Sequence, residues 1–386
     1  MISRIESYFA EHFGHVPEVI ASAPGRVEFL GNHTDYNGGL VLGGAINRRL
    51  WVGLSRRADG ECHLTSEDLG EISTLPASSI TEVRPRSWIK YPLAVLQVME
   101  KMGIRPAGFN LAVRSDIPIG AGLSSSAALE LAAALAFDRL LELGLSTVDL
   151  VTIAHRAETD YVGVPCGLLD QTTIAYAEKN CLVCLDASDR THSTIPIENG
   201  TALWLFQTHE SHELDRSPYA DRRNECKQSL RLLQTVIPKI SRLTQLNPAD
   251  VSAYAHKLPN VLADRAAHVV GEQARVIEVG TLENVSRIGE LLFASHESSS
   301  RFFENSTKAL DFTVNNLRGR RGVLGARLTG AGFGGAAMAW TTTSFRQADA
   351  GDVAAAYASR FDAACKVLNV EWSDGMRVES VREAPT

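Results

Sequence analysis

The stretch SDIPIGAGLSSSAALELA, Ser115–Ala132, decides the predicted fold, because it joins a strand to a helix through a loop of small residues. Phe109–Ser115 alternates apolar and polar side chains and predicts a half-buried strand. From Ser124 onward, alanine and leucine recur at helical spacing. Glycines admit a ligand close to the backbone, and the free N–H groups of a helix start favour an anion. The stretch therefore predicts a phosphate site, although it lacks the Walker A pattern.

Two further glycine clusters lie on either side of this loop in the sequence. Ala23–Leu42 crowds polar side chains between predicted strands, a composition that suits a hydroxyl-rich ligand; a solvated hairpin is the alternative. Arg327–Met338 contains a bare GxGxxG, but the residues after it predict a strand instead of the helix that a dinucleotide site needs. A Rossmann oxidoreductase is therefore discounted. A glycine turn that packs on a ligand or a loop, or a purely structural hairpin, remains possible.

Two acids and one arginine complete the candidate chemistry. Glu158 falls near the end of a predicted helix, and Asp170 follows the helix-breaking GVPCG. Near a phosphate loop, one carboxylate can hold Mg²⁺ while the other orients or deprotonates an attacking hydroxyl. Arg26 is the best candidate for a cation over the transferred group, since its planar fork suits phosphate oxygens. Together these residues indicate phosphoryl transfer from a nucleotide to a hydroxyl.

Composition restricts the class of protein. The chain has 386 residues, and 38 Lys+Arg against 45 Asp+Glu give a formal net charge of −7, which argues against a nucleic-acid partner. No apolar run approaches the length of a membrane span, and the N-terminus has no signal-peptide core. The six cysteines are sparse and lack zinc-site spacing, so we interpret them as reduced packing residues of a cytoplasmic protein.

The pattern of predicted elements is α+β with two domains. Strands are predicted in RVEFLG, LVLGGAI and LWVGLSR, and a short amphipathic helix at the N-terminus. A second helix starts at Ser146 or Thr147 and runs toward Tyr161, and the chain is mainly helical from about residue 217 to 318. A polar break near residues 190–200 predicts an N-terminal domain over 1–195 and a C-terminal domain over 196–386.

Four stretches together resemble the galactokinase branch of the GHMP small-molecule kinases. GRVEFLGNHTDYNGG is similar to that branch's sugar signature, PIGAGLSSSAALE to its phosphate loop, AETDYVGVPCGLLDQ to the stretch with its two acids, and LTGAGFGGA to its C-terminal glycine motif. Weaker matches, among them SWIKYPLAVL, lie between. The implied fold is the two-domain GHMP kinase fold, with a ribosomal protein S5 domain 2-like N-terminal domain and a ferredoxin-like C-terminal domain.

The resemblance implies roles for individual residues. Asp170 matches the catalytic aspartate and Arg26 the arginine that stabilises the developing charge, while Ser126 and Glu158 match the Mg²⁺ ligands. The implied ATP-binding residues are Trp88, Gly120, Ala121, Gly122, Leu123, Ser124 and Ser125. The implied sugar contacts are His33, Asp35, Gly167 and Tyr219, to which Asn32 and Glu28 are added from the altered signature. ATP and Mg²⁺ are the implied cofactors, and a sugar or polyol is the implied partner, with no protein partner indicated.

The signature departs from the family pattern among the residues that are expected to contact the sugar. The family usually has Asn-Leu-Ile-Gly-Glu-His, where this chain has Glu28-Phe29-Leu30-Gly31-Asn32-His33. An amide at position 32 removes both a charge-assisted acceptor and a repulsion against carboxylates. The resemblance implies ATP-dependent phosphorylation of a monosaccharide at its anomeric hydroxyl. The altered signature adds galacturonate, N-acetylgalactosamine, arabinose or an inositol as alternative acceptors. A regulatory sensor that binds ATP and sugar is the alternative from another class.

Overall fold

The structure is a computed structural model, and it describes residues 1–82, 87–198, 200–210, 218–281 and 284–382. The α-helices are α1 (Ile2–Phe13), α2 (Lys90–Lys101), α3 (Ser125–Leu140), α4 (Thr147–Arg156), α5 (Leu169–Tyr176), α6 (Tyr219–Gln234), α7 (Pro248–Tyr254), α8 (Asn260–Val279), α9 (Val285–Ser298), α10 (Lys308–Leu317) and α11 (Gln347–Phe361). The strands are β1 (Val19–Leu30), β2 (Leu40–Arg56), β3 (Glu61–Ser66), β4 (Glu71–Pro76), β5 (Phe109–Ser115), β6 (Cys181–Asp186), β7 (Thr191–Pro196), β8 (Thr201–Gln207), β9 (Val323–Leu328), β10 (Ala336–Thr342), β11 (Lys366–Val370) and β12 (Arg377–Val381).

Two sheets organise the described part of the chain. The larger sheet has eight strands in the order β12-β1-β2-β5-β3-β4, with β6 also paired to β2 and β7 paired to β6. The smaller sheet has four strands in the order β11-β8-β10-β9, and its neighbours are antiparallel. In the larger sheet, the pairing of β3 with β5 is parallel.

Helix α3 is central to the larger domain because it has no polar face. Thirteen of its sixteen residues are buried, and it packs on β1, β2, α2, α4 and α5. A helix that is buried on nearly every side is stable only inside a core. The many alanines of α3 allow the neighbouring elements to approach it closely. This packing holds the N-terminus of α3, and with it the predicted phosphate loop, at the inner edge of the domain.

Most predicted elements are confirmed, with three corrections. Strand β5 is predicted to be half-buried, but six of its seven residues are buried, because α1 packs against the face that carries Ala112. LVLGGAI and LWVGLSR belong to one continuous strand, β2, because Asn47, Arg48 and Arg49 between them keep the extended backbone of the strand. The helix predicted toward Tyr161 ends as an α-helix at Arg156, and Ala157–Val162 continues as a wider π-helical turn. Ser146 caps α4 in a capping box with Asp149, as predicted. Position 217, where the helical region was predicted to begin, lies outside the described residues.

The predicted division between residues 195 and 196 falls at the C-terminal end of β7, and the next strand, β8, belongs to the other sheet. The chain nevertheless returns to the first sheet at its end. Strand β12 pairs antiparallel with β1, with Val381 opposite Val19. The two sheets are therefore not separated cleanly along the sequence, and the domain limits of 1–195 and 196–386 remain a prediction.

Candidate active site

A cavity of about 320 Å³ opens where the phosphate loop, the end of β1 and the start of α5 meet. Fifteen of the seventeen predicted site residues line it, although they are spread over almost 200 positions of the sequence. They are Arg26, Glu28, His33, Asp35, Gly120, Ala121, Gly122, Leu123, Ser124, Ser125, Ser126, Glu158, Gly167, Asp170 and Tyr219. Asn32 and Trp88 do not line the cavity.

The phosphate loop has the backbone that its small residues predict. Gly120 and Gly122 have φ values of 72° and 70°, in the left-handed region that glycine adopts without strain. Ser124, at the N-cap of α3, also has a positive φ of 59°. The loop thus turns sharply into α3, and the first N–H groups of a sixteen-residue helix border the cavity. This arrangement can bind the phosphates of a nucleotide through backbone donors and the helix dipole.

Asp170 is held between an arginine and a serine. Arg26 Nε donates to Asp170 Oδ1 at 2.7 Å, and Arg26 Nη2 lies 2.6 Å from the same oxygen. Ser124 donates its hydroxyl hydrogen to the other oxygen, Oδ2. Arg26 also donates from Nη1 to the carbonyl oxygen of Gly122 at 2.7 Å, so one guanidinium ties the acid to the phosphate loop. The geometry suits an acid that orients a hydroxyl toward a phosphate.

Glu158 and Ser126 form a second polar pair, and both side chains offer oxygen ligands. Ser126 Oγ donates to Glu158 Oε1 at 2.8 Å, and Gln171 Nε2 donates to Oε2 at 2.7 Å. Burial, with the nearby charge of Asp170, raises the pKa of Glu158 to about 7. A buried carboxylate of this kind is stabilised by a cation, and Mg²⁺ takes one or two protein oxygens together with phosphate oxygens. Among the described residues no group of three or more His, Cys, Asp or Glu side chains could hold a metal alone.

The polar residues after β1 form a compact wall of the cavity. The His33 ring contacts the Tyr36 hydroxyl at Nδ1 (2.9 Å) and the Ala331 carbonyl oxygen at Nε2 (3.1 Å). Burial, with Glu28 nearby, raises the pKa of Asp35 to about 7. Gly167 lies so close to the Asp35 carboxylate that a Cβ atom at position 167 would overlap it. Only glycine therefore fits beside Asp35 in this conformation.

The two residues that do not line the cavity are held elsewhere. Asn32 is fully buried and hydrogen-bonded to Glu28, Gly330 and Asn305. Trp88 packs against the main hydrophobic core, and its indole Nε1 has no hydrogen-bond partner among the residues that the structure describes. Sequence reasoning placed both residues by the alignment of motifs, which does not show where a side chain points.

The C-terminal glycine cluster packs on another loop. It connects β9 to β10, and a Cβ at Gly330 or Gly335 would crowd the backbone of Gly122 or Ala121 in the phosphate loop. The Thr329 hydroxyl just before it accepts a hydrogen bond from the N–H of Glu28 at 2.8 Å. The cluster therefore joins the smaller sheet to the cavity wall. It is a glycine turn packed on another loop, and not a purely structural hairpin.

Sequence reasoning missed several residues at the site. Lys90 and Tyr91, at the start of α2, line the cavity, and Lys90 Nζ lies 5.0 Å from the centre of the Tyr91 ring. Cys166 also lines it, and Glu130 is fully buried on α3 near Glu158. The signal for Lys90 was present in the weak match SWIKYPLAVL. Glu130 lies in the quoted phosphate loop motif, but its position in an apolar helix gave no hint of a polar neighbour.

Comparisons with known protein families assign the chain to a class that agrees with this geometry. Three family models match the chain: "GHMP kinases N terminal domain" over residues 90–178, "Galactokinase galactose-binding signature" over 7–56 and "GHMP kinases C terminal" over 279–363. Mevalonate kinase of known structure has the same fold, with a TM-score of 0.66 at 19% identity over 92% of this chain and 99% of the other. The fold and the matched domains are those of a GHMP kinase.

The relatives identify the branch within that class. The galactokinase of Roseiflexus sp. is 34% identical over 371 residues, 95% of each chain. That of Thermotoga neapolitana is 36% identical over 359 residues, 92% of this chain and 98% of the relative. The crystal structure of Lactococcus lactis galactokinase complexed with galactose superposes with a TM-score of 0.92 at 30% identity, over 97% of this chain and 99% of the other. This chain belongs to the galactokinase family.

No helix in the described ranges has the length and apolar character needed to cross a membrane.

Proposed function

We propose that this chain transfers the γ-phosphoryl group of ATP to the anomeric hydroxyl of galactose or a closely related monosaccharide. One observation carries the proposal: Asp170 is fixed by Arg26 and Ser124 at the mouth of a glycine loop that begins a long helix. An acid placed there can serve a hydroxyl that attacks a phosphate bound to the loop. Membership of the galactokinase family supports the same reaction.

Asp170 would orient the attacking hydroxyl and accept its proton as the new O–P bond forms. The Arg26 guanidinium lies against Asp170 and the phosphate loop, where its fixed charge would stabilise the negative charge that develops on the transferred group. Since phosphoryl transfer requires mainly positioning and charge stabilisation, these two side chains supply most of what the protein itself must contribute.

Ser126 and Glu158 would hold Mg²⁺. Their paired oxygens fit that ion, because a hydroxyl and a carboxylate are hard donors and the buried Glu158 charge has no basic partner among the ion pairs of the described residues. When bound, Mg²⁺ neutralises charge on the β- and γ-phosphates of ATP. The phosphate loop from Gly120 to Ser125 would bind those phosphates through its backbone.

The acceptor would lie against the wall formed by Glu28, His33, Asp35, Gly167 and Tyr219. These residues line the same cavity as Asp170 and offer both donors and acceptors for sugar hydroxyls. Asn32 would support this wall from behind, and Trp88 would support the adenine side of the nucleotide site through α2.

The test is a coupled assay of ADP release with ATP and a panel of acceptors: galactose, galacturonate, N-acetylgalactosamine, arabinose and an inositol. We expect turnover with galactose or a neutral relative that disappears when Mg²⁺ is chelated. Tight ATP binding without turnover on any member of the panel would contradict the proposal and favour a sugar-responsive sensor instead.

A further inference from the structure

Glu28 and Asn32 lie four positions apart at the end of β1, but only one of them reaches the cavity. Glu28 lines the cavity and is 6% exposed, whereas Asn32 is 0% exposed and does not line it. This chain has an amide, Asn32, where the family signature usually has a glutamate. The cavity nevertheless contains a glutamate carboxylate, that of Glu28, four positions earlier in the sequence.

The hydrogen bonds of Asn32 leave it no capacity for a ligand. Its Nδ2 donates to Glu28 Oε1 at 2.6 Å and to the Gly330 carbonyl oxygen at 3.0 Å. Its Oδ1 accepts from Asn305 Nδ2 at 2.8 Å and from Ser299 Oγ at 3.2 Å. A side-chain amide has two donor hydrogens and two acceptor lone pairs, so all four are used within the protein. Asn32 is a support for Glu28.

Hydrogen-bond donors contact only one of the two carboxylate oxygens of Glu28. Oε1 accepts from Asn32 Nδ2 and also from Arg327 Nη2 at 3.2 Å. Arg327 is fully buried, and its Nη1 also donates to the Glu28 carbonyl oxygen at 3.3 Å. Burial raises the pKa of Glu28, while the charges of Arg327 and Arg26 and the Asn32 amide oppose that rise. The Arg327 charge and the Asn32 amide stabilise the ionised form of Glu28, whereas burial acts against it.

The second carboxylate oxygen of Glu28 is unused. Among the described residues, no N–H or O–H group donates to Oε2, although Glu28 lines the cavity beside Arg26, His33 and Asp170. Glu28 Oε2 is not among the buried atoms that lack a partner, so it is accessible from the cavity and free to accept a hydrogen bond from a bound ligand. A sugar hydroxyl is the donor that would fill this position without introducing charge.

We propose that Glu28 Oε2 accepts a hydrogen bond from a non-reacting hydroxyl of the sugar, and that this contact selects a neutral hydroxylated sugar against a uronic acid. The inference rests on the proposed kinase function and specifies its acceptor. Three carboxylates, Glu28, Asp35 and Asp170, line the acceptor side of the cavity. A further carboxylate on the substrate beside Glu28 would be repelled and would leave Oε2 without a donor.

The experiment combines the Glu28→Gln variant with galactose derivatives that each lack one hydroxyl: 2-deoxy, 3-deoxy, 4-deoxy and 6-deoxy. For the unaltered chain, we expect kcat/KM to fall about 10- to 100-fold with the one derivative whose missing hydroxyl contacts Glu28. Glu28→Gln should lose a similar factor with galactose but little more with that derivative, because the contact is already gone. The ratio of galacturonate to galactose turnover should rise about tenfold in the variant.

Two further variants keep the test decisive. Glu178→Gln removes an exposed carboxylate and should leave all ratios unchanged. Glu28→Asp retains the charge beside Arg327 but withdraws the carboxylate from the cavity. It should therefore show the same hydroxyl-specific loss while still rejecting galacturonate. Thermal unfolding checks that Glu28→Gln is folded, and Glu28→Asp takes its place if it is not.

The outcomes separate the two proposals. Loss of the same factor with every deoxy sugar, or an unchanged galacturonate ratio, would overturn the role of Glu28 while leaving the kinase intact. Absence of turnover by the unaltered chain on galactose and all its derivatives would contradict the proposed function itself.

Discussion

Among the single residues of the site, Asp170 carries the proposed chemistry. It lies in the first turn of α5 and is held by the Arg26 guanidinium on one oxygen and the Ser124 hydroxyl on the other. Asparagine has the same shape and can occupy this position. We expect Asp170→Asn to lower kcat about 1,000-fold, because an amide cannot accept the proton, while ATP affinity changes little. Turnover measured by ADP release and ATP binding measured by calorimetry check this. Asp189→Asn, on an exposed turn, is the matched control, and equal activity of Asp170→Asn and the control would refute the assignment.

A second prediction at this scale concerns Ser126. Its hydroxyl contacts Glu158 Oε1 at 2.8 Å, in the pair proposed to hold Mg²⁺. Ser126→Ala should raise the Mg²⁺ concentration for half-maximal rate about tenfold, while saturating Mg²⁺ restores much of the rate. Titration of the rate with Mg²⁺ at saturating ATP measures this, with Ser193→Ala on an exposed strand as the control. An unchanged Mg²⁺ dependence would exclude Ser126 as a ligand.

Glu28 and Asn32 show that the sequence predicts which residues surround the cavity better than it predicts which side chains point into it. The resemblance to the galactokinase branch was sufficient to name fifteen residues that line one cavity, since each motif fixes the position of its residues along the chain. The direction of a side chain depends on partners remote in sequence. Arg327 and Asn305 determine that Glu28 faces the cavity and Asn32 does not, and no local pattern around either residue contains that information.

At the element scale, the loop between the π-helical turn and α5 sets the width of the acceptor site. Gly167 leaves no room for a side chain beside Asp35. We expect Gly167→Ala to push Asp35 aside and raise KM for the sugar about tenfold or more, with little change in KM for ATP, since the phosphate loop is untouched.

The control for this prediction is Gly351→Ala, because position 351 lies on α11 with open space around it and an ordinary φ. Steady-state kinetics with each substrate varied in turn provide the measurement. Equal increases in both KM values would indicate general damage to the fold instead of a local change at the acceptor site.

Elements with strong periodicity were predictable, and those decided by distant pairing were not. Helix α3 and strand β5 follow from alanine-rich and alternating patterns. Strand β2 was predicted as two strands, because Asn47 and the two arginines after it resemble a turn, whereas pairing with β1 and β5 keeps them extended. Tertiary pairing outweighed local propensity there.

At the scale of the whole molecule, a buried histidine links stability to pH. His268 on α8 is fully buried, with Nδ1 2.9 Å from Ser298 Oγ and Nε2 3.2 Å from the Asn32 carbonyl oxygen. Burial lowers its pKa from 6.5 to about 4, despite the opposing charge of Glu272. As pH falls from 6.5 toward 4, the unfolded chain binds a proton that the folded chain does not, so stability is lost in that window.

We expect this histidine to account for on the order of 3 kcal/mol of the loss in free energy of unfolding across that window. Urea unfolding of the unaltered chain and of His268→Gln at a series of pH values measures it. The variant should be less stable at pH 7 and have a shallower dependence, which does not vanish because burial also lowers the pKa of His33, His155 and His296. Parallel pH curves for the two proteins would contradict the prediction.

The return of β12 to the first sheet is the feature of the whole molecule that the sequence could least predict. Strand β12 lies at the end of the described chain, whereas its partner, β1, begins more than 350 positions earlier. The antiparallel pairing makes β12 an edge strand of the larger sheet, so the strands of the smaller sheet lie between β7 and β12 in the sequence. A strand pattern specifies which face is buried, and it does not specify which edge the strand joins.

The most direct test of the central claim is to identify the atom that receives the phosphoryl group. Galactose labelled with ¹³C at its anomeric carbon is incubated with ATP, Mg²⁺ and the unaltered chain, and the product is examined by ³¹P and ¹³C nuclear magnetic resonance. We expect a new sugar phosphate whose phosphorus couples to the labelled carbon, and we expect Asp170→Asn not to form it. Phosphorylation at any other carbon, or an equal yield from Asp170→Asn, would contradict the central claim.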